Sequence, residues 1–350
     1  MDQLFATRLK QARLLSKLSL RELSDQIDNF VSYGAIKKYE DGKMLPEQSV
    51  IIRLAEALGV KPDYFFRSSS IELTNIEFRK KSKLGAKEIS SITEIVRDRL
   101  ERYFEVEELL RINRTFTNPL QLALIKDIDE VEEHVLSLLI TWELGQNPIP
   151  NVIEMLEDKG VKIVEIDAPD SFDGLSTFVD GVPVIVLNQD LDPVRKRFTA
   201  LHELAHLIFS FSEDIEHGYL EKCCHRFASA MLVPKPVMRR LLGESRAHLA
   251  IAELTAIKVQ YGISVQALIK RAYDLQIIRD HLYKGLFIWL TKTKNRKEEK
   301  LGIYKGIEKS YRFRQLIYRL AAEELVTLKK AANLGGIKEA ELRDELDVII

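Results

Sequence analysis

His202 and His206, with Glu203 beside the first of them, form the stretch of this chain whose residue types most plainly do chemistry. On an α-helix, positions i and i+4 lie one above the other on the same face, so both imidazoles present a nitrogen to one metal ion. Glu203 projects next to them, in reach of the proton of a water activated by that metal without being a ligand itself. Two imidazoles, a carboxylate base and an open metal position are the parts of metal-assisted hydrolysis, with zinc the usual ion. Phe198, Leu201, Leu204, Ala205, Leu207 and Ile208 surround the pair with apolar side chains, and residues 195–211 contain neither Pro nor Gly. Burying imidazoles and a carboxylate in such a run is costly unless they are paired or metal-bound.

A zinc site needs a third protein ligand. The metzincin pattern, a His six residues beyond the second one and after a Gly, is excluded because Phe209 and Ser212 stand at those two positions. The gluzincin alternative is a Glu on the following helix. Residues 214–218 read as a break and residues 219–232 as that helix, with Glu221 in its first turn. Glu213, Glu216 and His217 are rivals in the connection.

The run RFTALHELAHL followed by EKCCHRFASAMLVP resembles the ImmA/IrrE family of bacterial metallopeptidases. Members of that family read roughly RFTLAHELGHLL, then ExxANxFAxxLLMP. The resemblance implies that Glu221 is the third zinc ligand and that Phe227, Ala228, Leu232 and Pro234 are packing positions. His225 stands where the family usually has Asn or Asp. That departure implies either a hydrogen bond to a ligand carboxylate or a contact with the metal itself; His225 and His217 are therefore the alternative ligands. The stretch SVQALIKRAYDL, residues 264–275, is similar to the usual continuation of such proteins when fused to a helix-turn-helix.

The elements that position these residues follow from composition and patterning. A chain of 350 residues with 46% hydrophobic and 30% charged residues reads as a globular protein of two or three domains. It shows no apolar run long enough to span a bilayer and no basic-then-apolar leader, so no membrane partner is expected and the expected location is cytoplasmic. Cys223 and Cys224 are adjacent on the second site helix and point different ways, so they read as reduced residues, one of which can approach the metal. The net charge of −1 excludes strong unspecific nucleic-acid binding by the whole molecule but not a local basic face.

Residues 1–66 read as five short helices. Ser19 is the expected N-cap of the second, and Asp41-Gly42 stops the third. The pattern from Leu9 to Phe65 is similar to the lambda-repressor-like (XRE-type) helix-turn-helix. That resemblance implies a recognition helix offering Ser32, Tyr33, Lys37 and Lys38 to the major groove of double-stranded DNA, with Lys43 nearby. The lysines are expected on phosphates, which position rather than specify. Two departures stand out: Asp28-Asn29-Phe30 lengthens the turn, and Leu20 replaces the Gln that commonly opens the second helix.

Residues 67–126 read as a linker and a long helix. Ser68-Ser69-Ser70 is the linker, residues 71–78 alternate like a strand, and Arg79-Lys80-Lys81 is a basic run. Residues 85–110 carry an apolar stripe that suits either dimerisation or packing within the chain. Residues 127–240 form the expected peptidase domain, with strands at 161–166, 175–178 and 182–187 and a hairpin turn at Asp180-Gly181. The edge of that sheet suits an extended protein substrate. Residues 241–350 read as helical, broken at Gly262 and at Gly335-Gly336, with a charged solvated loop at 292–300.

The fold expected is mostly α with a small β-sheet (α+β): a five-helix DNA-binding domain, a gluzincin-like minimal metallopeptidase domain and a helical C-terminal region. The expected function is that of a DNA-binding regulator, working as a homodimer on an operator. Its domain with one Zn²⁺ would cleave a protein partner such as a repressor or antitoxin, as the resemblance implies for stress-response or toxin–antitoxin systems. The competing expectation is a repressor or antitoxin whose peptidase fold is a sensing or binding scaffold.

Overall fold

The computed structural model describes residues 2–67, 85–113, 115–121, 123–212, 215–293 and 301–346. The linker at 68–70, the strand expected at 71–78 and the basic run at 79–81 lie outside the described residues, as do Glu213 and most of the charged loop, 294–300. The chain divides into two compact units, one of residues 1–112 with 316–350 and one of residues 113–315. The architecture is α+β, dominated by helices.

The first unit opens with α1 (Asp2–Leu15), α2 (Leu20–Gln26), α3 (Tyr33–Glu40) and α4 (Gln48–Ala57), then a 3-10 turn, Pro62–Phe66. Phe5, Leu9, Leu23, Ile36, Leu54 and Phe65 meet in its core, each with no exposed surface. Ser19 caps α2 as expected: its Oγ accepts from the Glu22 N–H at 3.2 Å, and the Glu22 carboxylate accepts from the Ser19 N–H at 2.6 Å. The long turn before α3 is accommodated because Asp28 and Asn29 both take positive φ (54° each), which short polar side chains tolerate. Ser24 Oγ closes that turn on the Val31 carbonyl at 2.8 Å. The long helix expected at 85–110 is α5 (Ala86–Leu109), whose buried stripe of Ile92, Val96, Leu100, Tyr103 and Phe104 packs within this unit, against α1 among others. An Arg8–Glu101 ion pair at 2.8 Å joins the two helices.

The second unit begins with β1 (Ala123–Ile125), α6 (Glu130–Thr141) and α7 (Val152–Asp158), followed by β2 (Lys162–Ile166), β3 (Gly174–Val179) and β4 (Val182–Asn188). The three longer strands form one sheet in the order β2-β4-β3, with β2 parallel and β3 antiparallel to β4. Asp180 (φ 50°) and Gly181 (φ 77°) make the hairpin turn that the sequence predicts. Strand β3 is therefore a sheet edge. Next come α8 (Pro193–Ile208), β5 (Phe209–Phe211), α9 (His217–Leu232) and α10 (Lys235–Leu242), then α11 (Ile251–Tyr261), α12 (Val265–Asp274) and α13 (Asp280–Lys292). Helix α9 starts two residues earlier than the sequence suggests, so His217 is its first residue and not part of the connection. A parallel pairing of β1 with β5, in register Leu124 to Ser210, is a feature the sequence reading does not contain.

Helix α8 packs on β3, β4, α7 and α9. Its Ala200, Leu201, Leu204, Ala205, Leu207 and Ile208 are all buried, and each fully buried Leu or Ile contributes about 1.5–3 kcal/mol relative to exposure. Ion pairs fasten the surrounding helices. Arg271 of α12 grips both oxygens of Glu132 on α6 at 3.0 Å, and Arg226 of α9 donates to the same carboxylate at 2.8 Å. Burial pushes the Glu132 carboxyl up, but Arg271 and Arg226 outweigh it and hold it below the usual range.

After α13 the chain runs as an extended strap, residues 301–310, across α7, β2 and α8. Its residues alternate: Ile303 and Ile307 face solvent while Glu308 is buried. Glu308 accepts from the N–H groups of Val152 and Ile153 at the start of α7 (2.8 and 3.3 Å) and from Arg197 of α8 at 2.8 Å, both side chains of that pair being fully enclosed. Tyr304 OH also meets Arg197. Ser310 ends the strap, its Oγ donating to Glu157 at 2.7 Å and its N–H to Glu165 at 3.1 Å.

The last helices, α14 (Arg312–Ala322), α15 (Leu328–Gly335) and α16 (Glu339–Leu346), carry two breaks, one at Glu324 to Thr327 and one at Gly336. Helix α15 returns to α5 in the first unit, with Lys330 to Glu105 at 3.0 Å and Lys61 donating to Asn333 at 2.7 Å. Among the described residues no helix is long and apolar enough to cross a membrane.

Candidate metal centre and nucleic-acid interface

The geometry of α8 and α9 brings the predicted ligands together. His202 Nε2 lies 3.2 Å from His206 Nε2 and 3.3 Å from a Glu221 carboxylate oxygen, and the other oxygen of Glu221 lies 3.7 Å from His206 Nε2. A tetrahedral zinc ion with bonds of about 2.0–2.1 Å holds its donor atoms about 3.3–3.4 Å apart. The imidazole pair and the His202–Glu221 contact have that spacing, while Glu221 reaches His206 with its other oxygen at 3.7 Å. The donor set, two imidazoles and one carboxylate, is also a borderline ion's set. The residues present fit zinc.

Glu203 stands beside this triangle. Its carboxylate and the nitrogens of His202 and His206 lie within 4.8 Å of one another. Its Oε2 accepts a hydrogen bond from Ser176 Oγ at 2.8 Å, a contact from the edge strand β3. Ser176 thus fixes one carboxylate oxygen and directs the other. Sequence reasoning missed it, because a single Ser in an alternating strand carries no signal of its own.

Behind the ligands, Cys224 Sγ lies 3.5 Å from His206 Nδ1. Were Nε2 to hold a metal, Nδ1–H would donate to the sulfur, and that contact would orient the ring. The cysteine that nears the site therefore meets a ligand's other nitrogen. Cys223 is buried away from it, and burial pushes its thiol up to about 11. Of the three rivals to Glu221, Glu216 and His217 are among the described residues. Glu216 is the residue before α9. His217, whose side chain is half exposed, has Nδ1 3.8 Å from a Glu221 oxygen. His225 lies one turn after Glu221, with Nδ1 2.6 Å from the Glu221 carbonyl oxygen and its ring 4.5 Å from that of His202.

Residues 156–273 match the family model of the IrrE N-terminal-like domain, and residues 9–65 match a helix-turn-helix model. The chain carries a helix-turn-helix domain followed by an IrrE-like, peptidase-family domain. No curated protein matches the chain. The match to the IrrE-like domain runs from inside α7 to the end of α12, so it contains every residue of the triangle, Glu203, Ser176 and both cysteines. The strap lies outside it.

In the helix-turn-helix domain, Ser32, Tyr33, Lys37, Lys38 and Lys43 are all exposed, on α3 or next to its ends. Ser32 Oγ is engaged as the N-cap of α3, accepting from the Ala35 N–H at 3.2 Å. Lys37 and Lys43 both pair with Asp41, at 2.6 and 3.2 Å, and the Lys37 ammonium is raised above its ordinary range by the Asp41 carboxylate. Two basic residues absent from the sequence reading flank the start of α3. The Arg21 guanidinium lies over Tyr33 at 5.3 Å and that of Arg53 over Phe30 at 4.2 Å. Stacking on an exposed ring presents each cation at a fixed place.

Proposed function

We propose that this chain is a DNA-binding transcriptional regulator whose IrrE-like domain is a zinc-dependent endopeptidase acting on a protein partner such as a repressor or antitoxin. The observation that carries the reading is the spacing of the three donors, together with a carboxylate held beside them and off the triangle by Ser176. His202, His206 and Glu221 would hold the ion. Zinc bound there supplies a Lewis acid for a peptide carbonyl and acidifies a water. Glu203 takes the proton of the attacking water and hands it to the leaving amine. Cys224, against the other nitrogen of His206, orients that ring. The exposed edge of β3, which carries Ser176, offers main-chain groups to an extended segment of substrate, so the substrate is an unfolded stretch or loop. The cytoplasm, an operator and a homodimer complete the proposal, with Arg21, Tyr33, Lys37, Lys38, Lys43 and Arg53 toward the duplex.

The test is Glu203→Gln, which keeps size and shape and removes the base. Metal content is expected to stay at wild-type level while cleavage falls by at least ~10²–10⁴-fold. A reporter on the regulated promoter, compared in cells with wild type, Glu203→Gln and His202→Ala, separates hydrolysis from sensing. If Glu203→Gln regulates like wild type and only the ligand variant fails, the domain is a sensor and the peptidase reading is wrong.

A further inference from the structure

The strap at 301–310 has the build of a strand with no strand beside it. Burial alternates along it: Ile303, Lys305, Ile307 and Lys309 are exposed, whereas Tyr304, Gly306, Glu308 and Ser310 are wholly or partly covered. A period of two is that of a β-strand, whose side chains point to opposite faces in turn. The covered residues tie the segment down. Glu308 is held by Arg197 and by two N–H groups of α7, Tyr304 OH meets Arg197, and Ser310 bonds Glu157 and Glu165. Gly306 has no room for a side chain, because a Cβ there would run into the Tyr304 ring. Pairing of the main chain is what the strap lacks. Among the described residues, no main-chain to main-chain hydrogen bond joins residues 301–309 to another segment. Its outer face is apolar and basic by turns. Ile303 and Ile307, 77% and 63% exposed, are with Ile140 the most exposed large apolar side chains among the described residues. Neither Lys305 nor Lys309 has an ion-pair partner among the described residues; Lys309 lies over the Tyr311 ring at 5.7 Å.

We propose that the strap binds an extended segment of a protein partner by β-addition, one in which carboxylates and apolar side chains take turns at every second position. The partner's main chain pairs with that of residues 303–309. Its carboxylates face Lys305 and Lys309, and its apolar side chains lie beside Ile303 and Ile307, since directly opposed residues of paired strands have Cβ atoms about 4.5–5.5 Å apart. Charge selects this occupant over a second copy of the chain. Edge lysines oppose self-pairing, and two straps paired antiparallel about Gly306 would gather four lysines on one face with no carboxylate among them. The same lysines favour an acidic strand. Because the strap is already extended and fastened from beneath, binding has only the partner to order. The docking face lies outside the residues that match the IrrE-like domain and uses none of the candidate metal centre. It therefore stands or falls apart from the peptidase reading.

The test is fluorescence anisotropy of the full-length protein with a fluorescein-labelled nonapeptide, in which Val and Glu take turns at the odd positions and Thr fills the even ones. Saturable binding is expected. Lys305→Glu with Lys309→Glu should weaken it about ten-fold or more, as should Lys for Glu in the peptide, because each change sets like charges side by side. N-methylation of one alternate set of peptide amides should abolish binding while the other set tolerates it, since only every second N–H of a strand points to a given neighbour. The changes on the peptide leave the protein itself untouched. No saturable binding, or equal binding by the lysine variant, overturns the proposal. An equal response to methylation of either set means ionic capture without strand pairing and overturns it too. So does a wild type that sediments as a dimer and turns monomeric in Ile303→Asp with Ile307→Asp, which would make the face a contact between copies.

Discussion

At the scale of single residues, the candidate centre is a set of donors whose positions are decided by helix geometry and by what touches their far sides. His202 and His206 share a face because they are four apart. Glu221 reaches them because α9 packs along α8. About one Zn²⁺ per chain is expected by metal analysis of purified protein. His202→Ala and His206→Ala should lose it, and Glu221→Ala should weaken its binding. Full occupancy in Glu221→Ala, with loss in His217→Ala, would instead assign the third ligand to His217. The imidazoles and Glu221 were readable because spacing and the resemblance both bear on them. Ser176 and Cys224 were not. Each acts through one atom on a partner 27 or 18 residues away, and only tertiary packing makes that contact. Arg21 and Arg53 escaped for the same reason, as they lie on α2 and α4 and reach the start of α3 through the rings of Tyr33 and Phe30.

At the scale of elements, local rules served well where an element is long or carries its own punctuation. The Ser19 capping box, the Asp180-Gly181 turn and the apolar stripe of α5 are all decided by near neighbours. The β1–β5 pairing was invisible because each strand has three residues and the partners are some 86 positions apart in register (209 − 123). The strap was equally hidden, since an extended segment without a sheet partner has no periodic signature. Its final residue touches a group that titrates. Burial pushes the Glu157 carboxyl from an ordinary 4.5 up to about 7, with the Ser310 hydroxyl pulling the other way. Between those two values the folded chain holds a proton that the unfolded chain has released, so this group's contribution falls as pH rises through the window and is spent above about 7. Glu157→Gln cannot ionise. Its melting temperature, relative to wild type, is expected to be higher at pH 8 than at pH 4.5–5. A difference between the two proteins that is the same at both pH values would show that Glu157 does not titrate there.

At the scale of the whole molecule, the chain leaves its first unit, builds the IrrE-like unit, and comes back. That return, α15 beside α5, has no local sequence cue, whereas the order of helix-turn-helix and peptidase-like domains was legible from two motifs. The proposed DNA contact is tested on the full chain by measuring operator affinity against salt. Each lost phosphate contact lowers the salt slope by ~1, so Lys37→Ala with Lys38→Ala should lower it by about 2. Lys37 must trade Asp41 for a phosphate, and an unchanged slope would place both lysines off the duplex.

The Arg197–Glu308 pair spans 111 positions of the chain. Helix α8 therefore leaves the ribosome long before the carboxylate that neutralises it has been made. Until then its guanidinium has no buried counter-charge, and enclosing it would cost several kcal/mol. The helix that carries His202 is therefore expected to be fully stabilised only in a polypeptide translated past residue 308. A chain stopped early holds all of the helix-turn-helix core, whereas the helix of the candidate metal site lacks its buried counter-charge.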